Sequence, residues 1–83
     1  MPTSFVLLKV KFGQEKEIIE KLVKIPEISE RYTIFGKYDF LLKIEGKNRK
    51  KTSKMVATKI RPMDGIKIAE LLPGKRINIK KGD

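Results

Sequence analysis

The stretch Ile34-Phe35-Gly36-Lys37-Tyr38-Asp39-Phe40-Leu41-Leu42-Lys43-Ile44 decides how this chain is read. The pair Gly36-Lys37 separates two runs rich in β-branched and aromatic residues, the pattern of a tight connection in a β-hairpin. Residues 38–45 alternate so that Phe40, Leu42 and Ile44 share one face, and residues 31–35 supply the partner strand. Glycine lets the turn form without a Cβ clash and exposes backbone amides that can receive a carboxylate. Asp39, at the start of an otherwise apolar strand, is then placed to meet a ligand ammonium. An Asp beside a Gly-Lys turn also commonly bonds neighbouring backbone amides, so both roles stand open.

Upstream, residues 4–12 alternate as a half-buried strand, with Val6, Leu8, Val10 and Phe12 on one face and Phe5, Leu7, Lys9 and Lys11 on the other. Residues 14–24 predict an amphipathic helix, opened by Glu15 and Glu17 and striped with Ile18, Ile19, Leu22 and Val23. Ile25-Pro26 ends it, because a residue before proline is pushed out of the helical region. Downstream, Asn48 is a plausible N-cap for a helix over 49–61 that buries Thr52, Met55, Val56, Ile60 and the stem of Lys59, with Pro62 closing it. Asp64-Gly65 turns the chain into a strand over 66–72, which Pro73-Gly74 breaks. The tail 75–81 reads as a fifth short strand or a basic arm.

The order β-α-β-β-α-β predicts an α+β, ferredoxin-like fold: a four-stranded antiparallel sheet with two helices on one face. Phe5, Leu7, Leu41 and either Ile34 or Phe35 fall off the helix-facing register. Packing those residues sheet against sheet in a two-fold dimer, a dimeric α/β barrel, is the natural way to cover them, the alternative being a monomer with a wet outer face.

A chain of 83 residues and 9.6 kDa accommodates one domain, expected as a core over 4–72 and a basic tail over 73–83. The absence of Cys and His removes disulfides, thiolate zinc sites and the commonest general base. No acid/base pair, phosphate loop or metal cluster is legible, so neither a catalytic role nor a cofactor is expected. A small barrel enzyme would need Asp39 or Glu70 as a buried acid beside an open cavity. No apolar run approaches a membrane span, and the N-terminus lacks a basic n-region, so a cytoplasmic location is expected. Sixteen Lys and eleven Ile fit the composition of hyperthermophile proteins, although an AT-rich genome produces a similar bias.

Charge is uneven. Residues 1–45 hold eight Lys/Arg against seven Asp/Glu, whereas residues 46–83 hold twelve against three. Lys47, Arg49, Lys50, Lys51, Lys54, Lys75, Arg76, Lys80 and Lys81 are candidate polyanion contacts, which makes a basic nucleic-acid module the rival reading. A solvated basic surface is the plainer account of the same residues, and the strands carry no aromatic signature for stacking RNA bases.

Taken together, these pieces resemble the RAM domain, the ligand-binding half of Lrp/AsnC-family transcription regulators. The residues that carry the resemblance are Phe5-Val6-Leu7-Leu8-Lys9-Val10, Ile25-Pro26-Glu27-Ile28, Gly36-Lys37-Tyr38-Asp39 and Ile60-Arg61-Pro62-Met63-Asp64-Gly65-Ile66, together spanning about residues 4–72. The resemblance implies dimers joined through their sheets, rings such as octamers, and an amino-acid effector held near the turn by Phe35, Gly36, Lys37, Tyr38, Asp39, Ala69 and Glu70. It also implies a stand-alone form, since the family's helix-turn-helix is not in this sequence, which acts with itself or with full-length regulators. Base-specific DNA contacts are not expected from such a form. Two departures bear on the ligand. Phe35 stands where the family often has a small hydroxyl residue, and Ala69-Glu70-Leu71 where it often has Thr residues around an acid. Without those hydroxyls the expectation is a more apolar ligand, a hydrophobic amino acid, or no ligand at all.

Overall fold

A computed structural model describes residues 2–74. Strand β1 (Thr3–Val10) is followed by helix α1 (Glu15–Leu22), strands β2 (Ile28–Thr33) and β3 (Phe40–Glu45), helix α2 (Arg49–Met55) continued by a π-helical segment (Val56–Ile60), and strand β4 (Ile66–Pro73). The strands form one antiparallel sheet in the order β2-β3-β1-β4, with the first strand central beside the third and fourth. This is the ferredoxin-like arrangement that the sequence predicts.

The core follows from the period-two pattern. Val6, Leu8 and Val10 of β1 and Phe40, Leu42 and Ile44 of β3 are all buried. They pack with Ile18 and Leu22 of α1, Ile25 and Ile28, and Met55, Val56 and Ile60 of the second helical segment. Asn48 caps α2 as expected, its Oδ1 accepting the Lys51 amide at 2.8 Å.

Several expectations are corrected. Phe12 is fully exposed, because the Gln14 amide bonds the Lys11 carbonyl at 3.1 Å and closes a turn that ends β1 at Val10. In α1 only Ile18 and Leu22 are buried, while Ile19 and Val23 lie at the margin of the helix–sheet contact and stay exposed. Lys59 does not bury its stem; it reaches over the surface to Glu27, with Nζ 3.1 Å from Oε2. Strand β2 starts at Ile28, directly after Pro26-Glu27, and a bulge between Ile28 and Glu30 offsets its pairing with β3. The tight Gly36-Lys37 hairpin is instead a connection over 34–39, closed by the Ile34 amide on the Asp39 carbonyl at 3.0 Å. The second helix widens to a π turn, in which the Arg61 amide bonds the Val56 carbonyl at 2.9 Å. The fifth strand or arm, with Lys75, Arg76, Lys80 and Lys81, lies outside the described residues.

The face of the sheet opposite the helices carries Phe5, Leu7 and Leu41, all half-buried, and the sequence reading anticipated them. The register adds Ile68 and Leu72 opposite Lys9 and Phe5, and Tyr32 opposite Leu41. Ile68, Leu72 and Tyr32 are 45%, 40% and 48% exposed, so this face presents apolar side chains to solvent in a single chain, with Lys9, Lys43 and Glu70 in register among them. Ile34 is half-buried and Phe35 stands out at 95% exposure.

Candidate functional site

The connection over 34–39 is built around Gly36, whose φ of +109 lies where L side chains are strained. From there the chain re-enters the sheet at Asp39. The Asp39 amide bonds the Leu8 carbonyl at 2.8 Å, and its carboxylate Oδ2 accepts the Val10 amide at 2.9 Å. β3 begins only at Phe40, so this side chain supplies the last rung of the β1–β3 ladder in place of backbone. Among the described residues Oδ2 alone of its two oxygens is engaged.

Tyr38 projects across the sheet. Its hydroxyl donates to Glu70 Oε2 at 2.6 Å, joining residues 32 apart in sequence. Glu70 is opposite Leu7 in the β1–β4 register, so the contact lies over the apolar outer face. The bond to Glu70, followed by lost hydration and then by the Glu70 charge, raises the Tyr38 phenol above its ordinary value of 10.0. Lys37 Nζ sits 5.9 Å from the centre of the Tyr38 ring.

The structure therefore brings Gly36, Lys37, Tyr38, Asp39 and Glu70 together and leaves two predicted site residues apart. Ala69 pairs with Leu8 and packs against the core on the helix side, its carbonyl held by Arg61 Nε and Nη2 at 3.2 and 3.1 Å. Phe35 extends into solvent. The Arg61 clamp and the Val10 amide went unnoticed in the sequence, since neither has a local signature.

Concavities lie elsewhere among the described residues. One, of about 350 Å³, is lined by Glu27, Ile44, Glu45, Gly46, Lys47, Lys51, Thr52 and Met55. Another, of about 220 Å³, lies between α1 and β2 along Ile19, Leu22, Arg31, Tyr32, Thr33, Phe40 and Leu42. The turn over 36–39 lines neither of these. Of the polyanion candidates, Lys47, Arg49, Lys50, Lys51 and Lys54 are all exposed at and after the start of α2. The described residues contain no cluster of acids able to hold a metal.

This sheet order and helix placement define a ferredoxin-like α+β domain. The family model described as the Lrp/AsnC ligand binding domain matches residues 3–71, and the chain belongs to that family. The HTH-type transcriptional regulator FL11 of Pyrococcus furiosus is 51% identical over 45 residues, which is 54% of this chain and 30% of that protein. The crystal structure of FFRP-DM1 is similar with a TM-score of 0.85 and 33% identity, over 90% of this chain and all of that one. The transcriptional regulator NMB0573 of Neisseria meningitidis, solved as an L-Met complex, shares the fold with a TM-score of 0.84 at 17% identity, over 96% of this chain and 54% of that one. The family is regulatory rather than enzymatic, and its relatives in Pyrococcus fit the thermophilic composition. No helix among the described residues is long and apolar enough to cross a membrane.

Proposed function

We propose that this chain is an amino-acid-sensing assembly domain of transcription regulation, working in the cytoplasm with copies of itself or with full-length Lrp/AsnC regulators. Residues 4–72 form its folded core and 73–83 a basic tail. The observation that supports the reading is the Tyr38–Glu70 contact, which ties the turn carrying Gly36, Lys37 and Asp39 to β4 at the outer face of the sheet. An α-amino acid needs that combination: amides at Gly36 and Lys37 for its carboxylate, a carboxylate for its ammonium and apolar surface for its side chain. The L-Met complex of a protein with this fold supports an amino-acid ligand of apolar character.

The outer face supplies the assembly half of the proposal. A sheet with apolar residues on both faces is covered most simply by a second copy, back to back about a two-fold axis. The turn lies at one end of that face, so dimers meeting there would enclose the ligand and build a ring such as an octamer. Native mass spectrometry with and without a mixture of amino acids tests both halves. The expected result is a dimer or larger ring whose population shifts with a hydrophobic amino acid. A monodisperse monomer indifferent to every amino acid would remove the reading.

A further inference from the structure

Helix α2 breaks a rule that α1 obeys. In α1 the first turn carries Glu15 and Glu17 and the last turn Lys21, each charge set against the opposite end of the helix dipole. The first turn of α2 carries no acid and opens on Arg49-Lys50-Lys51, three cations at the positive end of the dipole. Lys50 and Lys54 add a like-charge pair four residues apart on the helix. From residue 46 to residue 63 the sequence has seven Lys/Arg and no Asp/Glu. Glu45 and Glu27 line a concavity with Lys47 and Lys51, and Glu27 is engaged by Lys59. The two ion pairs of the described residues, Lys43–Glu30 and Lys59–Glu27, leave the start of α2 out. Fold stability favours none of this placement; a polyanion laid across the helix would reverse the sign of every one of these repulsions.

We infer that the exposed face of α2, through Arg49, Lys50, Lys51 and Lys54, is a contact surface for the phosphate backbone of duplex DNA. The contact uses side chains rather than helix amides, since Asn48 already occupies the Lys51 amide. The segment from Arg49 to Ile60 contains no aromatic residue, so it offers no platform on which single-stranded bases would stack. It therefore fits a backbone-only contact with a duplex, blind to sequence. The face lies apart from the turn over 36–39 and does not depend on an amino acid being bound.

Fluorescence anisotropy of a labelled DNA duplex of random sequence, titrated with the full chain, tests the inference. With about four phosphates neutralised, affinity should fall by about two decades between about 50 and about 200 mM salt. The triple variant Lys50→Gln, Lys51→Gln, Lys54→Gln should flatten the logarithmic salt slope by about 2.7. Its melting temperature should be unchanged or raised, because repulsions are removed. The control Lys16→Gln, Lys21→Gln, Lys24→Gln, exposed on or just beyond α1, makes the same change in net charge and should leave most of the affinity. Equal loss in both triples would reduce the effect to bulk charge and overturn the inference. So would duplex binding untouched by the α2 triple, tighter binding of single-stranded RNA, or α2-dependent binding to phosphatidylserine vesicles without binding to the duplex.

Discussion

Asp39 Oδ2 lies 2.9 Å from the Val10 amide, so a carboxylate side chain closes the end of a strand pair whose backbone has already turned away. The same residue thus has a structural duty toward β1 and, through its other oxygen, a proposed duty toward a ligand ammonium. Two substitutions separate them. Asp39→Ala leaves the Val10 amide without its acceptor at a residue only 5% exposed, and should cost about 1 to 3 kcal/mol of stability. Asp39→Asn keeps an oxygen for Val10 and should cost well under half as much. In the ligand assay the order differs, because Asn lacks the charge. It should weaken amino-acid binding by about one to two decades, from about 1.5 to 3 kcal/mol for a charge-assisted bond. Denaturant melts and calorimetry on both variants check this, and unchanged affinity in Asp39→Asn would remove Asp39 from the ligand site.

The Tyr38–Glu70 bond predicts an alkaline signature. A neutral phenol donates to the Glu70 carboxylate, so the folded state holds the Tyr38 proton more tightly than the unfolded chain does. The stabilisation it contributes is present below the unfolded value near 10.0 and is lost as pH rises through the higher folded value. Tyr32 is also raised, first by its bond to Glu30, so the measurement belongs in a Tyr32→Phe background. Ultraviolet difference absorbance there should show Tyr38 ionising above its ordinary range, and Glu70→Gln should bring it down. An identical curve in both proteins would mean that the bond does not persist in solution.

What the sequence made legible follows from how each feature is encoded. Phe40, Leu42 and Ile44 were readable because a strand with one covered face must alternate. Phe12 continues the same alternation, but the Lys11–Gln14 turn overrides it. Strand β2 was misplaced because it is an edge strand: Ser29, Arg31, Tyr32 and Thr33 are exposed, and no period marks where pairing begins. The π turn at Val56–Ile60 has no sequence marker, since Val56 and Ile60 fit an α-helical stripe equally well. At the site, the turn was visible as a local motif. Its contact with Glu70 depended on the β1–β4 register, and the position of Ala69 on the opposite face follows from the same register.

Two glycines with positive φ should respond differently to the same substitution. At Gly36 an added Cβ meets nothing within 4 Å, so Gly36→Ala carries only the backbone strain, about 1 to 2 kcal/mol. At Gly65, with φ of +94, the added atom would collide with Gln14 Oε1 and lie 3.0 Å from Ile18 Cδ1. Gln14 can swing aside, but Ile18 is a fully buried core residue and cannot yield without loosening its packing. The Gly65 carbonyl also receives the Lys11 amide at 2.8 Å, so strain there is passed to the end of β1. Gly65→Ala should therefore be the more destabilising of the two by about 1 kcal/mol or more, by the cost of overpacking a filled core. Thermal melts of the two variants decide the order.

Leu7 and Leu41 stand directly opposite each other on the open face of the sheet, flanked by Phe5, Tyr32 and Ile68. In a lone chain this pair is half-buried, so Leu41→Lys should alter the stability of a monomer by no more than about 0.5 kcal/mol. In a back-to-back dimer the same lysine enters the interface, where the neighbouring acids Asp39, Glu30 and Glu70 are already engaged by the Val10 amide, by Lys43 and by the Tyr38 hydroxyl. An unpaired charge buried there costs about 3 to 5 kcal/mol per copy, and the two-fold axis brings in two copies. Even the lower figure for one copy weakens association by about two decades. Leu41→Lys should therefore sediment as a folded monomer at concentrations where the parent chain is a dimer or ring. Leu41→Met, similar in volume and equally apolar, should stay assembled. Analytical ultracentrifugation with circular dichroism on both variants makes the comparison. A Leu41→Lys protein that remains assembled would mean that the apolar face is covered by something other than a second sheet.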